Sequence, residues 1–160
     1  MKLKMIVAAV AALTAISSHA AADSWGTHSA LELDVTVLPT GSFFDTYSFS
    51  LDTKSIVTGG VESFGALVGG FSVWGTGSDG LIGTSDDYGI AGAAFGGQTS
   101  VTLGSGSYYY AVAGYGFTAG GYAIASSAVA APVPEPETYA LLGAGLGIVG
   151  FVASRRRRQD

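Results

Sequence analysis

No cysteine occurs anywhere in the 160 residues. Disulfide staples, thiol catalysis and cysteine-held metals are thereby excluded, so the chain must rest on packing, a different metal site or association. Histidine is nearly as scarce. His19 and His28 are the two present, and a Ser-His-Asp set would have to recruit His28 with no nucleophile elbow in sight. Positive charge is missing from the middle: between Asp23 and Ala131 nine acids face one lysine, Lys54, a net charge of −8. Such a surface repels phosphate backbones, which argues against a nucleic-acid partner, and attracts divalent cations. Helical periodicity is also nearly absent from that stretch. With no legible cleft between paired carboxylates either, no enzyme is expected.

What is present begins at the ends. Met1 to Lys4 is short and basic, Met5 to Ile16 is apolar, and Ser18 to Ala22 is small and neutral apart from His19. That order predicts a signal peptide over 1–22, its apolar core too short for a mature membrane span. Two cuts satisfy the small-x-small rule: after Ala20, with Ser18 at −3, or after Ala22, with Ala20 at −3. The second is preferred and makes Asp23 the first mature residue; a buried N-terminal helix is the alternative. Signal peptidase is the implied partner.

The other end runs from a proline–acid segment, Val133, Pro134, Glu135 and Pro136, into an apolar stretch and then Arg155, Arg156, Arg157 and Arg158. Tyr139 to Ala153 spans roughly 22 Å as a helix, short of a hydrocarbon core of about 30 Å. Thr138 and Ser154 extend it to 138–154, and snorkelling arginines make up part of the difference. The arginines stay cytoplasmic and leave the remainder outside. A single C-terminal transmembrane helix is therefore expected, with the membrane as partner. "GLGIVG" (Gly145, Gly147, Gly150) mimics a dinucleotide fingerprint, but no strand precedes it.

Between these ends, residues 23–131 read as one Gly- and aromatic-rich domain. Leu31–Val37 alternates apolar and polar residues, as a half-buried strand should. Phe43, Tyr47, Phe49 and Leu51 share one face. Further strands are expected over 61–68, 71–75, 88–94, 99–103, 107–113 and 122–129. Gly-Gly pairs at 59–60, 69–70, 96–97 and 120–121 are expected at turns. Roughly eight short strands predict an all-β, small antiparallel sandwich or jelly-roll-like domain, followed by a proline-rich linker and a tail over 132–160.

The tail resembles the PEP-CTERM sorting signal, also catalogued as an ice-binding-protein C-terminal motif: Val133-Pro134-Glu135-Pro136, an apolar helix and a terminal arginine cluster, in that order. The resemblance implies a transient membrane anchor processed near Pro134-Glu135-Pro136 by an exosortase, and it implies no ice-binding surface. Proline keeps that segment extended and accessible. Phe43, Asp45, Tyr47 and Phe49, with "GSYYYAVAGYGFTAGGYAIA" before the tail, resemble the FxDxF group of PEP-CTERM proteins, Tyr47 standing for the second Phe. That resemblance implies a setting in exopolysaccharide and biofilm rather than a reaction.

Three groups are candidates for chemistry. Asp45 shares the aromatic face, either as a ligand contact or as a carboxylate at a strand start accepting backbone N–H bonds. Asp79, Asp86 and Asp87 lie in "GSDGLIGTSDD", a glycine-rich loop able to wrap calcium, with solvated loop acids as the alternative. Trp25, Trp74, Tyr88, Tyr108, Tyr109, Tyr110 and Tyr115 are candidates for stacking on sugar rings, as in a calcium-stabilised carbohydrate-binding module. Alternation through Tyr108-Tyr109-Tyr110 predicts at least one exposed ring.

Overall fold

The structure is a computed structural model that describes residues 19–132 and 136–156. Residues 1–18 of the leader predicted over 1–22, the sorting residues Val133, Pro134 and Glu135, and the anchoring residues Arg157 and Arg158 lie outside the described residues.

Alternating, β-branched and aromatic stretches produce nine strands among the described residues: β1 (Ala22–Thr27), β2 (Glu32–Leu38), β3 (Gly41–Leu51), β4 (Ser55–Phe64), β5 (Leu67–Gly75), β6 (Tyr88–Ala94), β7 (Gln98–Leu103), β8 (Gly106–Gly116) and β9 (Gly120–Ala130). One helix, α1 (Pro136–Arg156), follows. The strands form two sheets, ordered β1-β3-β8-β5-β6 and β2-β9-β4-β7. The chain changes sheet at nearly every connection, and only the β5–β6 hairpin stays within one. The predicted sandwich is observed, with one correction. β1 runs parallel to β3, Ala22 opposite Thr46 and Thr27 opposite Ser50, because β2 between them belongs to the other sheet. A further parallel bridge, His19 to Phe43, carries the body back past its expected start at residue 23.

Side chains from both inner faces close the core. Phe43, Tyr47, Phe49 and Tyr110 come from one sheet, Val57, Val61, Tyr122 and Ile124 from the other, all at 5 % exposure or less. Each such side chain contributes about 1.5–3 kcal/mol relative to remaining in water.

Two sequence expectations fail here. Of the Gly-Gly pairs, 59–60, 69–70 and 120–121 lie inside β4, β5 and β9, and 96–97 alone falls between strands. Gly59 is needed because a Cβ there would sit 2.8 Å from Tyr110 Cζ. The glycine makes room for a ring across the core. Strand β2 is also inverted. Leu33, Val35 and Val37 point outward at 66 %, 57 % and 73 % exposure, whereas Leu38 on the opposite parity is buried. Thr36, on the inward parity, reaches Tyr47 Oη at 2.8 Å.

Candidate functional site

The alternation of β3 sends Phe43, Asp45, Tyr47 and Phe49 to the same inner face, where the four motif residues are all buried. Phe43 stacks on Tyr122, centroids 5.8 Å apart and planes 21° from parallel. Asp45 lies in mid-strand rather than at the strand start, and is fully enclosed at 0 % exposure. Its Oδ2 accepts the Tyr122 hydroxyl at 2.6 Å, and its Oδ1 accepts the Ala21 N–H at 2.7 Å. Tyr122 also bonds the Tyr47 hydroxyl at 2.8 Å, so a chain of polar contacts runs from Ala21, just before β1, through Asp45, Tyr122 and Tyr47 to Thr36. Burial, then the Asp45 hydrogen bond, pushes the Tyr122 phenol far above its ordinary value. Buried polar groups persist when each finds a partner, and backbone capture, one of the two readings of Asp45, is the observed role.

The loop between β5 and β6 holds Asp79, Asp86 and Asp87, but it turns their oxygens on itself. Asp86 Oδ2 accepts the Ser78 N–H at 2.6 Å and the Ser78 hydroxyl at 3.0 Å, and Oδ1 accepts the Thr84 hydroxyl at 2.7 Å. The Thr84 hydroxyl, followed by the Ser78 amide, holds the Asp86 carboxyl well below the ordinary carboxylate range. Asp79 Oδ1 accepts the Leu81 N–H at 2.8 Å. Asp87 Oδ2 accepts the Gly83 N–H at 2.7 Å and the Tyr109 hydroxyl at 2.8 Å. Among the described residues, no group of three or more His, Cys, Asp or Glu is gathered so as to hold a metal ion. One oxygen of each of Asp79, Asp86 and Asp87 lies within 3.4 Å of the Thr84 hydroxyl, so the three candidate carboxylates meet around a side-chain donor of their own loop.

The tyrosine triplet also departs from expectation, since all three rings are buried. Tyr108 and Tyr110 face the core at 6 % and 0 % exposure, and Tyr109, on the other face, is covered to 5 %. Trp74 lies over Tyr109 at 6.3 Å and 14°, and the loop closes over its hydroxyl. Burial, reinforced by Asp87, pushes the Tyr109 phenol up to about 12. Trp25 packs against Tyr47 and Tyr110, at 5.4 Å and 5.9 Å. Of the predicted stacking platform, Tyr88 is exposed at 54 %.

His28 supplies a contact that sequence spacing could not reveal. Its Nε2 lies 2.7 Å from Ser126 Oγ and its Nδ1 2.6 Å from the Ser29 carbonyl. The carbonyl fixes the proton on Nδ1, so Nε2 accepts from the Ser126 hydroxyl. The pair resembles a base and its nucleophile, yet Ser126 is 1 % exposed and also bonds the Tyr110 hydroxyl at 2.8 Å. Ser126 also borders an open cavity of about 190 Å³ with Leu31, Thr58 and Gln98. An open cavity of about 280 Å³ borders β1, β3 and β8, but Ser, Thr, Gly, Ile82, Phe49 and Tyr108 line it, without a carboxylate or imidazole.

In the tail, α1 covers and slightly exceeds the predicted 138–154, and about 31 Å of helix results. Leu141, Leu146, Ile148 and Phe151 are each more than 60 % exposed. Nevertheless, among the described residues no helix is long and apolar enough to cross a membrane. The expected transmembrane helix is therefore not shown.

Residues 132–158 match the family model of the PEP-CTERM protein-sorting motif. A tail of this kind implies export and processing by an exosortase. A comparison with curated proteins finds no match. Two solved structures are similar in shape. One is PliG of Aeromonas hydrophila, a periplasmic inhibitor of g-type lysozyme, with 16 % identity over 71 % of this chain and 100 % of that one, TM-score 0.47. The other is the pre-peptidase C-terminal domain of a Bacillus anthracis collagenase, with 15 % identity over 66 % of this chain and 94 % of that one, TM-score 0.44.

Proposed function

We propose that this chain is an exported, non-enzymatic β-sandwich protein, handed by its tail to an exosortase and delivered to the cell surface or the extracellular polysaccharide matrix of a biofilm. The observation that carries the reading is the sorting motif over 132–158. The leader over 1–22 takes the chain out, the 138–154 segment holds it briefly at the inner membrane with the body in the periplasm, and the arginines keep the tail end inside. The reading as non-catalytic draws on the enclosed side chain of Ser126, which is shared between His28 and Tyr110. The FxDxF residues then serve to close the core. A calcium-stabilised carbohydrate-binding module has no comparable support, because the loop carboxylates are already engaged and most of the aromatics are packed.

The test is the intact mass of the native protein from surface and membrane fractions. A mature species ending near Pro134–Pro136 is expected at the surface. A full-length tail in every fraction would mean a permanent anchor and would overturn delivery by processing.

A further inference from the structure

Asp45 is fully buried, yet neither of its hydrogen-bond partners, the Ala21 N–H and the Tyr122 hydroxyl, carries charge. The ion pair it does have is incomplete. His19 Nε2 lies 3.6 Å from Asp45 Oδ1, and that buried nitrogen has no hydrogen-bond partner. A carboxylate withdrawn from water is costly unless a cation meets it with good geometry. The chain at this point reads Ser18-His19-Ala20-Ala21, and the bond after Ala20 satisfies the small-x-small rule of signal peptidases.

We propose that the exported chain is cut between Ala20 and Ala21, and that the new α-ammonium of Ala21 forms an ion pair with the buried carboxylate of Asp45. The inference rests on the export reading above, and it replaces the sequence preference for a cut after Ala22. Hydrolysis consumes one water: its oxygen joins the Ala20 carbonyl carbon, which leaves as a carboxylate on the leader. Both water protons end on the Ala21 nitrogen, which with its amide proton becomes an ammonium. That nitrogen is already 2.7 Å from Oδ1, so the charge appears where the fold needs it.

The two cuts have different structural consequences. Cutting after Ala20 removes His19 with its two backbone bonds, N–H to the Ser42 carbonyl and carbonyl to the Phe44 N–H. These lie on the edge strand, where water replaces them. The Thr46 N–H to Ala21 carbonyl bond at 2.9 Å and the pairing of Ala22 with Thr46 survive. Cutting after Ala22 deletes all of these, together with the N–H donor to Asp45 Oδ1. Cleavage precedes the closing of β1 onto β3, since in the folded body the scissile nitrogen is held against Asp45. The arrangement ties completion of the sandwich to removal of the leader: the ammonium exists only after the cut.

The test uses the full chain expressed in an exporting host. The first residue of the exported protein is determined, and its α-amine is titrated by nuclear magnetic resonance after isotopic methylation. Other titratable groups around the pair are Tyr122 and Tyr47, with Asp34 beside Tyr47 and Asp23 two residues along. Expected is Ala21 as first residue, with an amine titrating about one pH unit or more above the ordinary value of about 8 and returning to it in Asp45→Asn. Should Asp45→Asn not fold, the wild-type amine is compared in folded and urea-unfolded protein, the folded value being higher. Equal values, Asp23 as first residue, or an exported chain still carrying its leader would overturn the inference and leave export standing. An uncut chain confined to the cytosol would overturn the export reading itself.

Discussion

Tyr109 shows how one side chain joins a sheet to a loop. Its ring is covered by Trp74 and its hydroxyl donates to Asp87, which also accepts from the Gly83 N–H. Ionising the phenol would place two negative oxygens in contact within a poorly hydrated site. Its pKa accordingly rises from the ordinary 10.0 to about 12. The folded state binds the phenolic proton more tightly than the unfolded chain does. The resulting stability is complete below about pH 10 and is lost as pH rises through about 12. Alkaline unfolding followed by circular dichroism should therefore steepen across that window. Asp87→Asn should move one phenolate absorbance step toward lower pH. A titration unchanged by Asp87→Asn would mean that burial alone sets the shift.

At the scale of an element, β2 is the instructive case. As an edge strand paired only with β9, it turns Asp34 and Thr36 toward the interior and Leu33, Val35 and Val37 toward solvent. Inward-pointing charge on an edge discourages another chain from adding to the sheet. Burial and the neighbouring Asp23 carboxylate raise the Asp34 pKa, the electrostatic cost of that device. Replacing Leu33, Val35 and Val37 together by Thr should change stability by no more than about 0.5 kcal/mol per site, as at exposed positions. Binding of an apolar dye should fall. If the apolar side of β2 faced the core, the same variant would lose about 2 kcal/mol or more per site from cavities and unpaired hydroxyls, a difference that urea unfolding resolves. Alternation in the sequence identifies β2 as a strand but is blind to its facing, because a slip of one residue exchanges the two faces. The faces of β3 were legible, since Phe43, Tyr47, Phe49 and Leu51 leave no alternative. β1 was not: Ala-Asp-Ser-Trp-Gly-Thr shows no apolar alternation, and the strand is almost wholly exposed. The Gly-Gly pairs misled for a related reason, since glycine marks a close approach of rings and backbones as readily as a turn. The loop carboxylates could be found in the sequence, but the hydrogen bonds they make to Ser78, Leu81, Gly83 and Thr84 depend on a backbone path that spacing does not give.

For the whole molecule, the question is what holds an acidic body at a membrane before processing. The apolar segment between the proline motif and the arginines is roughly 22 Å long as a helix, against about 30 Å of hydrocarbon, and four of its residues are glycine: Gly143, Gly145, Gly147 and Gly150. On its own it is a marginal anchor. In the proposed topology Arg155 to Arg158 supply the missing attraction, because a basic residue at an anionic cytoplasmic surface contributes about 1 kcal/mol. Four contribute about 4 kcal/mol, close to a thousandfold in partitioning. The body, at −8, lies on the opposite side of the bilayer in that topology and offers no basic patch of its own for retention. Changing Arg155, Arg156, Arg157 and Arg158 each to Gln should therefore move the full-length exported chain from the membrane to the soluble periplasmic fraction. The melting temperature of the β body should stay the same. Quantitative fractionation decides the matter: a variant still bound to membrane would show that the apolar helix anchors unaided, and that the arginines serve only to orient it.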